Sequence, residues 1–301
     1  MLLDLTHDAL EWLELPPGPE RVAAFVRYER RCEPWSLATR SSAGTPAGVI
    51  TPWLAKAPAE DAARLTAFIR SGVAEGEARK AIAAVARVTD LTPPRVVLLV
   101  GHAGSNALQV RHRGESTAIA CVESFAGIPA PARCPAGEMH AWLCHEMAHA
   151  LRCDLAGTAS PCALYDGDAA GFIAFEDALP MAERVVDEGL ATALALEASE
   201  VARDRALGMS PEQVAWLDAQ RQEAWMSRLL EIEPDTEEYE RALYLVVEDE
   251  PWSAEHPPSR WAYHAGLAIA QRARVAGMTW RELLTCDAGE LIARLGPDRR
   301  A

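Results

Sequence analysis

Apolar residues recur at helical spacing through most of the chain and give way to short, continuous apolar runs in one stretch near residue 100. Pro19-Glu20 opens an amphipathic run that continues to about Arg31, and Pro58–Ile69 and Gly76–Val88 repeat the pattern with alanine and charge. Apolar positions three and four apart, with proline at the start of the run, predict helices. Ser41–Pro46 reads as a loop, and His7 as a surface residue. Residues 1–90 are therefore expected to form an N-terminal helical region without chemistry of its own.

The pattern changes at Leu91-Thr92-Pro93-Pro94. Arg95–Val100 is short and β-branched and stops at Gly101, which predicts a buried strand. Ala107–Arg113 and Ser116–Phe125 are the next strand candidates. Helical spacing returns after Pro135. Helices are predicted over Gly137–Cys153, Pro180–Ser199, Pro211–Leu230, Thr236–Val247, Ser259–Ala276 and Asp287–Leu295, and Asp154–Leu179, with its glycines, reads as a loop. The expected fold class is α+β: mainly helical, with a small β-sheet packed on the helix that starts near residue 137. Residues 91–301 form the second expected unit.

Composition narrows the function. With 301 residues, half of them apolar, the chain can bury a sizeable core. The formal net charge of −15 disfavours contact with a phosphate backbone, so no nucleic-acid partner is expected. The opening MLLDLTHDALEWLEL carries acids where a secretory leader carries Lys or Arg, and no apolar run is long enough to span a bilayer. A cytoplasmic location without membrane attachment is the expectation. The seven cysteines form no CxxC pair and read as buried free thiols, with a Cys153–Cys162 link the minor alternative. His102 and Ser105 follow a strand, but their spacing fits neither a P-loop nor a dinucleotide fingerprint.

One motif carries chemistry. His145-Glu146-Met147-Ala148-His149 is HExxH. On a helix, residues four apart lie one turn above each other, so both imidazoles can reach one cation. Glu146 is rotated by about 100° and stays off the metal but beside a water bound to it. A catalytic zinc takes three protein ligands and keeps one position open. Positions 152 and 155 are Arg and Leu, so a third histidine in the HExxHxxGxxH pattern is absent. A carboxylate from Val185-Val186-Asp187-Glu188-Gly189-Leu190-Ala191 is the better source. Glu188 is the leading choice because the small residues Ala191, Thr192 and Ala195 on its face allow close helix approach; Asp187 is its rival. Arg152 shares the histidine face, where it can pair with either acid, bind a substrate carboxylate or form a surface salt bridge.

HExxH followed on a later helix by Glu188-Gly189-Leu190-Ala191 resembles the gluzincin type of zinc metallopeptidase. With Arg152 and the segment Trp261-Ala262-Tyr263-His264-Ala265-Gly266, residues 91–295 are similar to a bacterial family of predicted zinc-dependent proteases otherwise classed as a domain of unknown function. The interval of 39 residues from His149 to Glu188 exceeds that of the best-known gluzincins. The resemblance implies a zincin-like fold and a hydrolase, specifically a metalloprotease acting on a peptide or protein. It also implies Zn2+ held by His145, His149 and Glu188, and Glu146 as general base. Tyr263 or His264 would donate to the oxyanion, and the resemblance favours Tyr263. Ser116–Phe125 is the segment expected to offer an edge along which a peptide lies. The alternatives are a zincin-like binding protein without turnover, and a helical interaction module in which HExxH is accidental.

Overall fold

The computed structural model describes residues 1–42, 58–101, 107–128, 136–155, 167–220, 222–234, 236–243, 252–253 and 257–295. The chain opens with β1 (Leu2–Asp4), α1 (Leu10–Leu13), α2 (Pro19–Arg31) and α3 (Trp35–Ser42), followed by α4 (Ala59–Arg70) and α5 (Val73–Thr89). Three strands follow: β2 (Arg95–Leu99), β3 (Ala107–His112) and β4 (Glu115–Cys121). The last runs straight into the one-turn α6 (Val122–Phe125). The remaining helices are α7 (Met139–Leu155), α8 (Ala169–Asp177), α9 (Met181–Ala198), α10 (Arg203–Leu207), α11 (Pro211–Asp218), α12 (Gln222–Leu230), α13 (Glu237–Leu243), α14 (Trp261–Val275), α15 (Trp280–Thr285) and α16 (Ala288–Leu295). The fold is α+β and mostly helical.

The four strands make one sheet in the order β1-β2-β4-β3. β1, β2 and β4 run parallel, and β3 pairs antiparallel with β4. Val96, Leu98, Ala118 and Ala120 on one face join the larger apolar cluster, which also holds Trp12, Phe25, Leu65 and Val85 from the first ninety residues and Leu143, Val185 and Leu267 from the later helices. Val97, Leu99, Leu108, Val110 and Ile119 on the other face pack with Trp35, Ala38 and Phe172 of α3 and α8. Burial on both faces is why β2 and β4 read as continuous apolar runs rather than alternating ones. α7 lies across β3 and β4, α9 packs on α7, and α14 packs on α9.

Several elements depart from the sequence expectation. Ser116–Phe125 is not one strand: the ladder ends at Cys121 and the chain turns helical at Val122. β4 is also interior, so it is not an edge. The turn Arg113-Gly114 has both residues at positive φ, which suits the twist of a two-residue hairpin and folds β3 back to the outside of β4. Among the described residues, the edge strand beside α7 is therefore β3. The segment read as a loop over 154–179 contains α8, in which Gly171 is accommodated inside the helix. Pro211–Leu230 breaks into α11 and α12, and the N-terminal helical region also supplies the strand β1. Cys32, Cys121, Cys144 and Cys153 are buried free thiols and Cys286 is partly exposed; Cys134 and Cys162, like His102 and Ser105, lie outside the described residues. Among the described residues, no helix is long and apolar enough to cross a membrane.

Candidate metal centre

α7 is buried nearly all round: thirteen of its residues, Met139, Ala141 and Leu143–Cys153, are shielded by the sheet, α5 and α9. This is why its sequence lacks a clean polar face, and why its histidines are enclosed rather than solvated. His145 and His149, one turn apart, are 5% and 7% exposed, and their ring centroids are 4.8 Å apart. α9 brings Glu188 against them. Its Oε2 lies 3.1 Å from His145 Nε2 and 3.5 Å from His149 Nε2. The three residues offer ligand atoms that all lie within 4.8 Å of one another. A tetrahedral zinc with bonds near 2.1 Å spaces its ligand atoms by about 3.4 Å, so the donor set, spaced 3.1 to 4.8 Å, could take such an ion with small shifts of its side chains.

The neighbouring acids divide the work. Glu188 faces both Nε2 atoms, whereas Asp187 takes the far side of His149, accepting from Nδ1 at 2.8 Å. A carboxylate behind a ligand histidine fixes the tautomer that leaves Nε2 free to coordinate. Asp187 is in turn 3.6 Å from Nε of Arg152. Arg152 is 1% exposed and donates to Glu183 Oε1 from Nη2 at 2.7 Å and from Nε at 3.2 Å. Its Nη1 donates to the Cys286 carbonyl at 3.2 Å. Arg152 therefore pairs with Asp187, as one sequence reading has it, and buries rather than forming a surface bridge. Glu183 was not singled out from the sequence. The signal lies one turn before Asp187, on the same face of α9, where a buried arginine needs a second carboxylate.

These contacts set the charges. For His149, burial disfavours the charged ring, but Asp187 and Glu188 outweigh it and hold its pKa well above the usual histidine value. For His145, burial prevails over the hydrogen bond to Glu188, and the pKa falls. Burial would raise both acids, but His149 and the surrounding hydrogen bonds hold Asp187 low and Glu188 well below the carboxylate range. Without metal, His149 thus carries the proton that a cation must displace.

The other sequence candidates separate. Glu146 is buried, and with Glu123 it adds its charge to burial in holding the Cys121 thiol far above its ordinary value. Tyr263 is brought to the site: its ring lies parallel to that of His145 within 11°, with centroids 6.0 Å apart. His264 is not. Its Nε2 lies 2.8 Å from Asp218 Oδ1 and 3.1 Å from Arg203 Nη2, tying α14 to α10 and α11. It is drawn off because successive helical residues point about 100° apart.

A close helix approach also lies outside the residues that the sequence reading names for one, Ala191, Thr192 and Ala195. It occurs at Gly189 and Gly266, where α9 meets α14 backbone to backbone. A Cβ on Gly189 would stand 2.1 Å from the Gly266 carbonyl carbon, and one on Gly266 would stand 1.9 Å from the Val185 carbonyl oxygen. The glycine after Glu188 and the glycine three residues after Tyr263 thereby set Tyr263 beside the histidine pair. Comparison with protein-family models, with curated proteins and with solved structures found no match for this chain.

Proposed function

We propose that the chain is a zinc-dependent hydrolase, most simply a peptidase of the gluzincin type with a zincin-like fold, working in the cytoplasm. The observation that carries the reading is the convergence of His145 Nε2, His149 Nε2 and Glu188 Oε2, with Asp187 orienting His149 from behind. Two imidazoles and one carboxylate are a donor set that suits zinc and leaves a position open. A zinc ion held there supplies Lewis acidity, polarising a carbonyl and lowering the pKa of a water to about 7.

The chain's own groups do the rest. Glu146, next in sequence to His145 but off its face, takes the proton from the attacking water and returns it to the leaving amine. Tyr263 keeps its proton: burial and the nearby Glu188 charge raise its pKa, so its hydroxyl donates a hydrogen bond to the oxygen on which charge develops. The enclosing helices keep bulk water from the histidine pair and strengthen each of these contacts. β3, the edge strand beside α7 among the described residues, is the strand that an extended peptide would extend.

The test pairs metal content with turnover on a mixed peptide library. Glu146→Gln is expected to keep the wild-type zinc content and to abolish hydrolysis. Zinc bound by wild-type protein that cleaves nothing would favour a binding protein, and hydrolysis surviving in Glu146→Gln would remove the base assignment.

A further inference from the structure

One cation at the site takes no part in the reading above. Arg260, the residue before α14, adopts φ +64°, a left-handed conformation that a non-glycine residue rarely holds without a reason. Its guanidinium lies over the Tyr263 ring, 4.3 Å from the centroid, and 5.9 Å from that of Trp142. Trp142 and Tyr263 are also the two rings that flank His145, each at 6.0 Å. The berth is shaped by Gly208, where a Cβ would stand 2.1 Å from Arg260 Nη1. Three separate devices thus hold one guanidinium beside the histidine pair: a left-handed backbone, an aromatic clamp and a glycine-lined slot.

Among the described residues, no acid partners the guanidinium. Arg152, Arg203, Arg205 and Arg274 each have a carboxylate partner. Among the described residues none is in ion-pair contact with Arg260, and its Nε is buried without a hydrogen-bond partner. The aromatic faces favour the cation and the Tyr263 hydroxyl accepts from one of its N–H groups, while Nε keeps no partner; an arginine fork matches a carboxylate in shape and charge. The residue is half-buried, so an incoming group can reach it.

We propose that Arg260 is a specificity-determining residue that binds a carboxylate of the substrate close to the bond being cleaved. The proposal rests on the hydrolase reading and deepens it: the substrate is an anionic peptide. The carboxylate comes either from a free chain terminus or from an acidic side chain.

The test uses the full-length, zinc-loaded chain and two small probes with one metal-binding group, acetohydroxamate and succinohydroxamate, the second bearing a carboxylate. Wild-type protein is expected to bind succinohydroxamate more tightly by about tenfold or more, as a charged hydrogen bond supplies. Arg260→Gln should erase that preference while keeping zinc content and acetohydroxamate affinity. Arg260→Lys, which keeps the charge without the fork, should retain part of it and serves if the glutamine variant does not fold. A preference that survives both substitutions overturns the proposal, as does an equal loss for both probes, which would mark Arg260 as structural or as an oxyanion donor. Wild-type protein that takes up no zinc overturns the hydrolase reading, and this subsite with it. Wild-type protein that holds zinc without preferring the carboxylate overturns the subsite alone. Two peptide series separate the sources: cleavage lost on amidating the terminus assigns the terminus, and cleavage lost on exchanging Glu for Gln in the peptide assigns the side chain. Indifference to both contradicts the proposal.

Discussion

The crossing of α9 and α14 can be tested without any substrate, through Gly189→Ala. The added methyl would stand 2.1, 2.3 and 2.4 Å from the carbonyl carbon, carbonyl oxygen and Cα of Gly266. All three are backbone atoms, so nothing can rotate aside. Carbon atoms in contact normally sit 3.5–4.0 Å apart, so the helices must separate by roughly 1.5 Å. Overpacking costs about 1–3 kcal/mol, and a rigid clash with three atoms belongs at the upper end. Replacing glycine by alanine inside a helix returns about 1 kcal/mol, leaving a net loss near 2 kcal/mol. Gly76 in α5 is the control, because a Cβ there meets nothing within 4 Å. Gly76→Ala should gain about 0.5–1 kcal/mol. The assay is urea unfolding of metal-free protein, followed by zinc affinity measured by competition with a chromophoric chelator. The midpoint should fall for Gly189→Ala and rise for Gly76→Ala, and only the former should weaken zinc, because Glu188 moves with the displaced helix. Equal behaviour of the two variants would refute the contact and its role in placing the third donor.

Other predictions follow from the buried charges. Asp187→Asn should weaken zinc by about 10–100-fold at alkaline pH, where protons no longer compete for His149, and unchanged affinity would remove the orienting role. Because His149 binds its proton tightly without metal, zinc uptake should release a proton and strengthen as pH rises through neutrality; calorimetry in buffers of different ionisation enthalpy measures this, and uptake without proton release would contradict it. In the metal-free chain, the raised His149 pKa adds stability that is complete below about pH 6.5 and fades as pH rises through the folded value, while the lowered His145 pKa costs stability as pH falls below about 6.5. The two effects should give a stability maximum near neutrality, and His149→Gln should flatten its alkaline side in thermal melts. Arg152→Met strands the Glu183 carboxylate and should cost about 3–5 kcal/mol, part of which Arg152→Met with Glu183→Gln recovers. Denaturant unfolding that shows the double variant weaker than the single one would count against a buried pair.

The elements that frame the site were legible because each carries a local signal. Pro19 and a regular apolar stripe give α2 both of its ends, the β-branched run gives β2, and HExxH itself sits on an uninterrupted helical stretch in α7. Features set by tertiary context were not legible. β1 is three residues long and, among the described residues, gains its pairing from β2 alone. In Ser116–Phe125 every residue is buried, so no periodicity marks the change from strand to helix at Val122. Strand order does not follow sequence order, which is why the edge passes to β3. At the site, HExxH and the EGLA segment name the two helices whose His145, His149 and Glu188 lie together. Choosing between the adjacent Asp187 and Glu188 needs the rotation of α9 against α7, and no sequence pattern carries that. The same holds for Tyr263 and His264, whose directions diverge by one step of helix. Glu183 and Arg260 escape the sequence for a related reason: a charge becomes informative only once its burial and its partners are known.

The central claim is that His145, His149 and Glu188 together hold one zinc ion. The direct measurement is zinc content and X-ray absorption of zinc-loaded wild-type protein beside folded Glu188→Ala. The account predicts one zinc per chain bound by two imidazoles and a carboxylate, with binding lost or strongly weakened in the variant. Stoichiometric zinc with the same ligand set in Glu188→Ala, or no zinc in the wild-type chain, would contradict it.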